Sequence, residues 1–411
     1  METYKFLMDL ALILLSTKLF GIASKKFNMP QVVGALMAGL VLGPALLNVL
    51  NETEFIIELS EVGVIVLMFA AGMESDISEL KKSGKASLII AILGVVIPLI
   101  GGFGVAYIFN KPGIIDSNVS SSIFLQNVFI GVILTATSVS ITVETLKELG
   151  KLSSKVGNAI LGAAIIDDIL GIIVLTVITS LADSSVNIAV VLLKILAFFV
   201  FAAVSGFIFF KAFKKFTDLY QRDMRRFVIV AFVYCLIMAY CSEVLFGVAD
   251  ITGAYIAGLI LSNSKFSGYI SRRFDTVSYV MLSPIFFASI GLKVVLPKMS
   301  IAIVLFALLL VIVAMLTKIV GCGIGAKLCN FSNKESMRIG CGMVSRGEVA
   351  LIVASKGAAV GLMSSALFGP VIIVVVATTI ISPILLKLAY RNDKKDASEI
   401  DHSSDDYELV D

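Results

Sequence analysis

Two adjacent carboxylates, Asp167 and Asp168, stand in GAAIIDDILG (162–171) with no lysine, arginine or histidine beside them. They lie near the middle of an apolar run, 153–181. If that run is a helix crossing a bilayer, at ~1.5 Å per residue both acids are close to the bilayer centre. An acid there costs several kcal/mol and marks a protein-enclosed path. One acid could serve helix packing through a hydrogen bond. Two in succession point about 100° apart on a helix, so one can face a cavity while the other meets a neighbour. Carboxylate oxygens suit a hard cation, and the same oxygens take up protons. A site that holds a cation or protons, but not both, is the minimum equipment of an exchanger.

Other polar groups interrupt apolar runs elsewhere. TATSVSITVE (135–144) places Thr137, Ser138, Ser140 and Thr142 within six positions, with Glu144 following. Single hydroxyls in membrane helices often bond back to their own carbonyls. This density points instead to a broken helix whose polar backbone faces a cavity. GCGMVSRGEVALIV (340–353) carries Ser345, Arg346, Gly347 and Glu348. An internal salt bridge is the plainer reading there, but a glycine between opposite charges fits an unwound stretch. Lys318, in AMLTKIVGCGIG, sits about nine residues from the inner end of its segment, ~13 Å along a helix, which is long for a snorkelling lysine. A buried ionic role is expected. Lys18 is nearer its helix end and is expected to snorkel. Pro98 and the glycines at 94, 101, 102 and 104 mark a flexible or closely packed helix.

The elements that must position these groups follow from composition. The chain has 411 residues, 58% apolar and 15% charged, against about 25% charged in soluble domains. Mean hydropathy is +1.00. A polytopic, all-α membrane protein is implied. A crossing needs roughly 20 residues, and apolar segments bounded by charges or turns give about thirteen. With the N-terminus outside, 24 of the 33 lysines and arginines fall in inside loops and 6 outside. This bias predicts an odd number of crossings and a cytoplasmic C-terminus. The five cysteines lack metal-knuckle spacing and read as small buried hydrophobes. The sole histidine, His402, lies in a polar tail, which excludes a histidine hydrolase or histidine-bound metal in the apolar body. No Gly-x-x-x-x-Gly-Lys-Ser/Thr motif occurs, so no nucleotide is expected as a partner; no nucleic acid and no cofactor are expected either. Residues 391–411 are acidic and are expected to be disordered.

Taken in order, TATSVSITVETLKELGKL, AAIIDDILGI, PIFFASIGL, the lysine of LTKIVGC and MVSRGEVALIVA resemble the monovalent cation:proton antiporters of the two-aspartate branch, as in the bacterial sodium/proton antiporters NapA and NhaA. The resemblance covers about residues 6–390. It implies inverted repeats whose broken helices cross near the midplane, here 128–146 and 337–356. Within a transmembrane domain of residues 1–390 it implies a core, about 58–181 and 301–390. A panel, about 6–48 and 226–263, would make a homodimer in the cell (inner) membrane. Asp168 is implied to be the essential cation- and proton-binding carboxylate, with Asp167 alternately pairing with Lys318. Thr137 and Ser138 would lie near the ion, and Arg346 with Glu348 would form a supporting charged pair. In the NhaA form an acid stands where Ser138 stands, so this chain is nearer the NapA form. Potassium/proton antiporters of the Kef type share the fold, but many carry a glutamine where Asp167 stands.

The expected function is exchange of intracellular sodium or lithium for external protons, with more than one proton per ion, and not an enzymatic reaction. Kef-like potassium/proton exchange is the nearest alternative. A sodium-coupled organic solute symporter would favour a roomier cavity and would not need Lys318. A channel would need a continuous pore. A receptor or structural membrane protein would need none of these groups.

Overall fold

The computed structural model describes the chain apart from residues 1–3, 28, 76, 112–114, 116–120, 183–186, 220–223, 296–299, 365–366 and 406–411; of residues 79, 81, 348 and 392–411 it describes the backbone alone. Among the described residues the secondary structure is entirely helical: α1 (Lys5–Lys26), α2 (Gln31–Leu42), α3 (Glu54–Glu74), α4 (Ile77–Phe109), α5 (Ile123–Thr135), α6 (Val139–Glu148), α7 (Lys155–Ala182), α8 (Ile188–Leu219), α9 (Arg225–Tyr240), α10 (Asp250–Ser262), α11 (Ser267–Val277), α12 (Ser283–Leu292), α13 (Ile301–Leu328), α14 (Asn333–Gly342), α15 (Glu348–Ala359) and α16 (Phe368–Asp405). Wide π turns at Cys241–Leu245 and Ser278–Leu282 prolong α9 and join α11 to α12. Helix starts follow local chemistry. The Thr53 and Ser300 hydroxyls accept from the backbone N–H groups of Ile56 and Ile303. Ser332 and Glu335 form a reciprocal capping box at α14, satisfying donors that a helix start leaves open.

The expected thirteen full-length crossings are not met. Ten helical spans among the described residues are long and apolar enough to cross a bilayer, with α5 and α6, α9 and its π turn, and α11 and α12 each counted as one span. The differences are local. The run 30–48 forms only the 12-residue α2, ~18 Å against a ~30 Å hydrocarbon core, before Gly43 turns the chain. The run 246–263 yields the 13-residue α10, and 337–356 is broken into α14 and α15. Ten crossings by themselves are even in number and set both termini on one side, against the expected opposite sides. The tail differs as well: α16 continues through it as far as Asp405. Extending an already formed helix avoids the nucleation penalty that an isolated polar segment meets.

Helix contacts sort into two groups. α4, α5, α7 and α13–α16 pack on one another; α1, α2, α3, α9, α10, α11 and α12 form the other set. α3, placed with the core stretch on sequence, packs chiefly against α10 and α12. Gly72 and Gly258 allow that approach, because a Cβ on either would lie 2.1 Å from a carbonyl oxygen of the facing helix.

Two repeats are visible in the first group. A long helix, a broken pair and another long helix occur as α4–α7 and again as α13–α16. They are inverted. Gly325 abuts Ile89 and Ile90, Gly321 abuts Leu93, and Gly101 abuts Val313 and Thr317. Contacts advance along α4 as they retreat along α13, so the two leading helices run antiparallel.

Candidate functional site

The site forms where both broken pairs meet. Between α5 and α6 the backbone leaves the helix at Ala136–Ser138, and Ser138 is extended (φ −95°, ψ 104°). Between α14 and α15 residues 344–347 are unwound. The breaks cross in contact. The Ser138 N–H donates to the Ser345 carbonyl at 2.8 Å, and the Thr142 hydroxyl donates to the Gly342 carbonyl at 2.6 Å. Unwound backbone in a membrane persists only where such partners enclose it.

Arg346 is fully buried and spends its donors on backbone carbonyls. Nε and Nη2 donate to Leu134 O at 3.1 and 2.7 Å, Nη1 to Val344 O at 2.7 Å, and Nη2 also to Ala314 O at 2.9 Å. A cation at the open carbonyls ending α5 is favourable, by hydrogen bond and by helix dipole. The expected partner side chain, Glu348, lies outside the described residues, although its backbone begins α15.

One turn further into the bundle is a buried ion pair. Lys318 Nζ on α13 donates to both oxygens of Asp167 on α7, each at 3.0 Å, and the Thr137 hydroxyl donates to Asp167 Oδ2 at 2.6 Å. Lys318 is fully buried and Asp167 only 2% exposed, so Lys318 does not snorkel. Three hydrogen bonds from two donor groups onto one carboxylate are the geometry in which a buried acid is tolerated. Asp168, the next residue, is half-buried. The helical step of about 100° turns it away from Lys318, leaving neighbouring carboxylates in unlike surroundings. Ser138 is fully buried at the crossing, its Oγ 3.2 Å from Ser140 Oγ.

Sequence reasoning assigned no site role to two residues that shape the pair. Gly94 on α4 stands over it: a Cβ there would lie 2.7 Å from Cys322 Sγ, 3.7 Å from Lys318 Nζ and 3.8 Å from Asp167 Oδ1. Cys322, one turn after Lys318, is fully buried beside it. The glycines around Pro98 signalled flexibility or close packing, without saying which or against what. A third feature sits at the other end of α6. Lys147 forms ion pairs with Glu74 of α3, at 3.3 Å, and with Asp275 of α11. Glu148 accepts the backbone N–H of Gln31 at 2.8 Å. These contacts tie the crossing-helix group to the other group.

Inverted repeats, crossed broken helices and an acid–lysine pair within ten membrane-length spans define a secondary active transporter of the cation/proton antiporter class. A profile described as "Sodium/hydrogen exchanger, transmembrane" matches residues 11–389. The chain is 39% identical over 388 residues to the Na(+)/H(+)-K(+) antiporter GerN of Bacillus cereus, covering 94% of this chain and 97% of that protein. It is 36% identical to a Na(+)/H(+) antiporter of Enterococcus hirae, covering 93% and 97%. The solved sodium proton antiporter MjNhaP1 of Methanocaldococcus jannaschii shares the fold, with a TM-score of 0.67 at 20% identity over 94% of this chain and 97% of that one. The chain belongs to the sodium/hydrogen exchanger family. Its members are multi-pass membrane transporters, not enzymes.

Proposed function

We propose that this antiporter exchanges sodium, or lithium, against protons at Asp168 and Asp167. The observation that carries the reading is the buried Lys318–Asp167–Thr137 cluster beside half-buried Asp168. Asp168 is the primary carrier, binding the cation after releasing its proton. Asp167 leaves Lys318 to share the cation, and hydroxyls and carbonyls of the crossing, among them Thr137 and Ser138, complete the oxygen shell. Lys318 then releases a proton of its own, so two protons move against one cation. Cation and protons compete for the same oxygens, which couples the fluxes. Arg346 holds the unwound segments.

Three short apolar helices, α2, α10 and α15, bear on topology. Counted as crossings, with α14 and α15 taken as one, they raise the total to thirteen. That count and the basic-residue bias support an external N-terminus and a cytoplasmic C-terminus in the cell membrane. The core comprises α4–α7 and α13–α16, the panel α1–α3 and α9–α12. A homodimer through the panel is what the family resemblance implies for this chain.

Potassium remains the second reading, favoured by the name of the Bacillus cereus relative. The test is purified protein in liposomes with an internal pH dye and an imposed pH gradient. Sodium addition collapses the gradient in wild type and not in Asp168→Asn. Potassium acting at equal or lower concentration than sodium selects the second reading, and flux at the wild-type rate in Asp168→Asn removes Asp168 from its role.

A further inference from the structure

A cavity of about 330 Å³ lies away from the aspartate pair, between α6 and a wall formed by α1, α2, α12 and the π turn before α12. Glu144 of α6 faces it, with Thr17, Gln31 and Ser283 among the other lining groups. We propose that Glu144 and this cavity form a second, shallower cation site, on the path between one membrane face and the aspartates. The ligand class is a partly hydrated monovalent cation. The proposal rests on the exchange reading above and extends it.

Four observations carry it. First, Glu144 is six residues beyond Ser138 on one short helix, ~9 Å along its axis. The segment that presents Thr137 to Asp167 therefore also presents this carboxylate. Second, Glu144 is only partly exposed, inside a membrane-length span, yet no hydrogen bond or ion pair to another described residue holds it. A carboxylate so placed needs water or a cation. Third, the lysine in the cavity wall, Lys18, keeps its charge but lies on Tyr279 of the same wall and not on Glu144. Lys18 Nζ hydrogen-bonds the Tyr279 hydroxyl and lies 4.1 Å from the centroid of that ring. Fourth, the surrounding charges are mostly acidic. Those near enough to act on Glu144 are Lys147, Glu148, Asp275 and Glu74, and Lys147 is itself engaged by Glu74 and Asp275. Such a field attracts a cation and repels an anion. At ~30 Å³ per water, the cavity has room for an ion with several waters.

The cavity borders the ties between the two helix groups, because Gln31 lines it and also donates to Glu148. A cation captured there is held beside the seam that must shift when the core moves. Glu144 thus sets how readily the cation loads from that face, and Asp168 sets whether it is exchanged.

The test uses the full chain in liposomes of determined orientation, with sodium presented to each face in turn. Glu144→Gln raises the half-saturating sodium concentration about tenfold on the face bearing Lys25 and Lys147, as losing one partly screened charge does. On the opposite face it changes nothing, and the maximal rate is kept. Glu144→Asp restores most of the loss, and Lys18→Met lowers the half-saturating concentration on the same face. An unchanged value for Glu144→Gln, an equal shift on both faces, or a fall in maximal rate alone overturns the second site while wild-type exchange stands. Absence of sodium-dependent flux in wild type overturns both readings.

Discussion

Removing the ammonium of Lys318 isolates a carboxylate in the densest part of the bundle. The side chains of Lys318 and Asp167 are 0% and 1% exposed, with Nζ 3.0 Å from both carboxylate oxygens. Breaking a buried pair from one side costs about 3–5 kcal/mol, whereas replacing both partners by neutral groups is often close to neutral. Lys318→Gln should therefore destabilise by roughly 3 kcal/mol or more, and Asp167→Asn by a comparable amount. The double variant should lie well short of their sum, giving a coupling energy of at least about 2 kcal/mol, far outside the ~0.5 kcal/mol scatter of independent sites. The assay is thermal unfolding of the four proteins in one lipid mixture. At about 2 °C per kcal/mol for a large domain, each single variant melts ~6 °C below wild type and the double variant recovers several degrees. Solid-supported membrane recordings on the same proteins add the functional half. Wild type gives a sustained current after a sodium jump at symmetric pH, and Lys318→Gln loses it even where electroneutral exchange persists. Additive destabilisation would show that the pair does not interact in the folded protein. A wild-type rate indifferent to a clamped membrane potential would end the two-proton scheme.

Gly94→Ala drives a methyl to 2.7 Å from Cys322 Sγ and should cost about 1–3 kcal/mol by overpacking; Cys322→Ala in the same chain should recover much of that loss and restore the current, and equal melting of the single and double variants would refute the contact. Ser332→Ala removes the hydroxyl that accepts the Glu335 N–H at 3.2 Å and should cost about 1 kcal/mol in thermal melts. The backbone N–H of Ser332 holds the Glu335 carboxyl below its ordinary 4.5. Its contribution is thus present above that value and fades as pH falls through the lower, folded value, so wild type should lose its advantage over Glu335→Gln only in acid. In a cysteine-less chain, single cysteines at Thr3 or at Ser404 should react oppositely with an impermeant reagent on intact cells, position 3 labelled and 404 protected; the reverse pattern inverts the topology.

Much of the class of this protein was fixed by composition and order. Apolar runs of membrane length, acids at the centre of one of them, and hydroxyl-rich and Ser-Arg-Gly-Glu interruptions in two others are one-dimensional facts. Their cost in a bilayer allows few architectures, because unwound backbone and charge must be enclosed by protein. Tertiary structure decided what each group touches. Helical periodicity separates Asp167 from Asp168 by an angle, but the rotation of α7 about its axis is set by packing on α4. That rotation turned Asp167 toward Lys318, 151 positions away. Lys318 lies too far from its helix end to snorkel, which already points to a buried ionic role, but only the bundle shows which acid it meets. Arg346 reads as half of a charged pair, yet its donors go to the carbonyls of Leu134 and Val344, open because α5 ends and the unwound segments cross there, and to that of Ala314 within α13. The crossing count slipped for the same reason. Hydropathy measures how apolar a run is, whereas the length of α2 and α10 depends on where neighbouring helices let the chain turn.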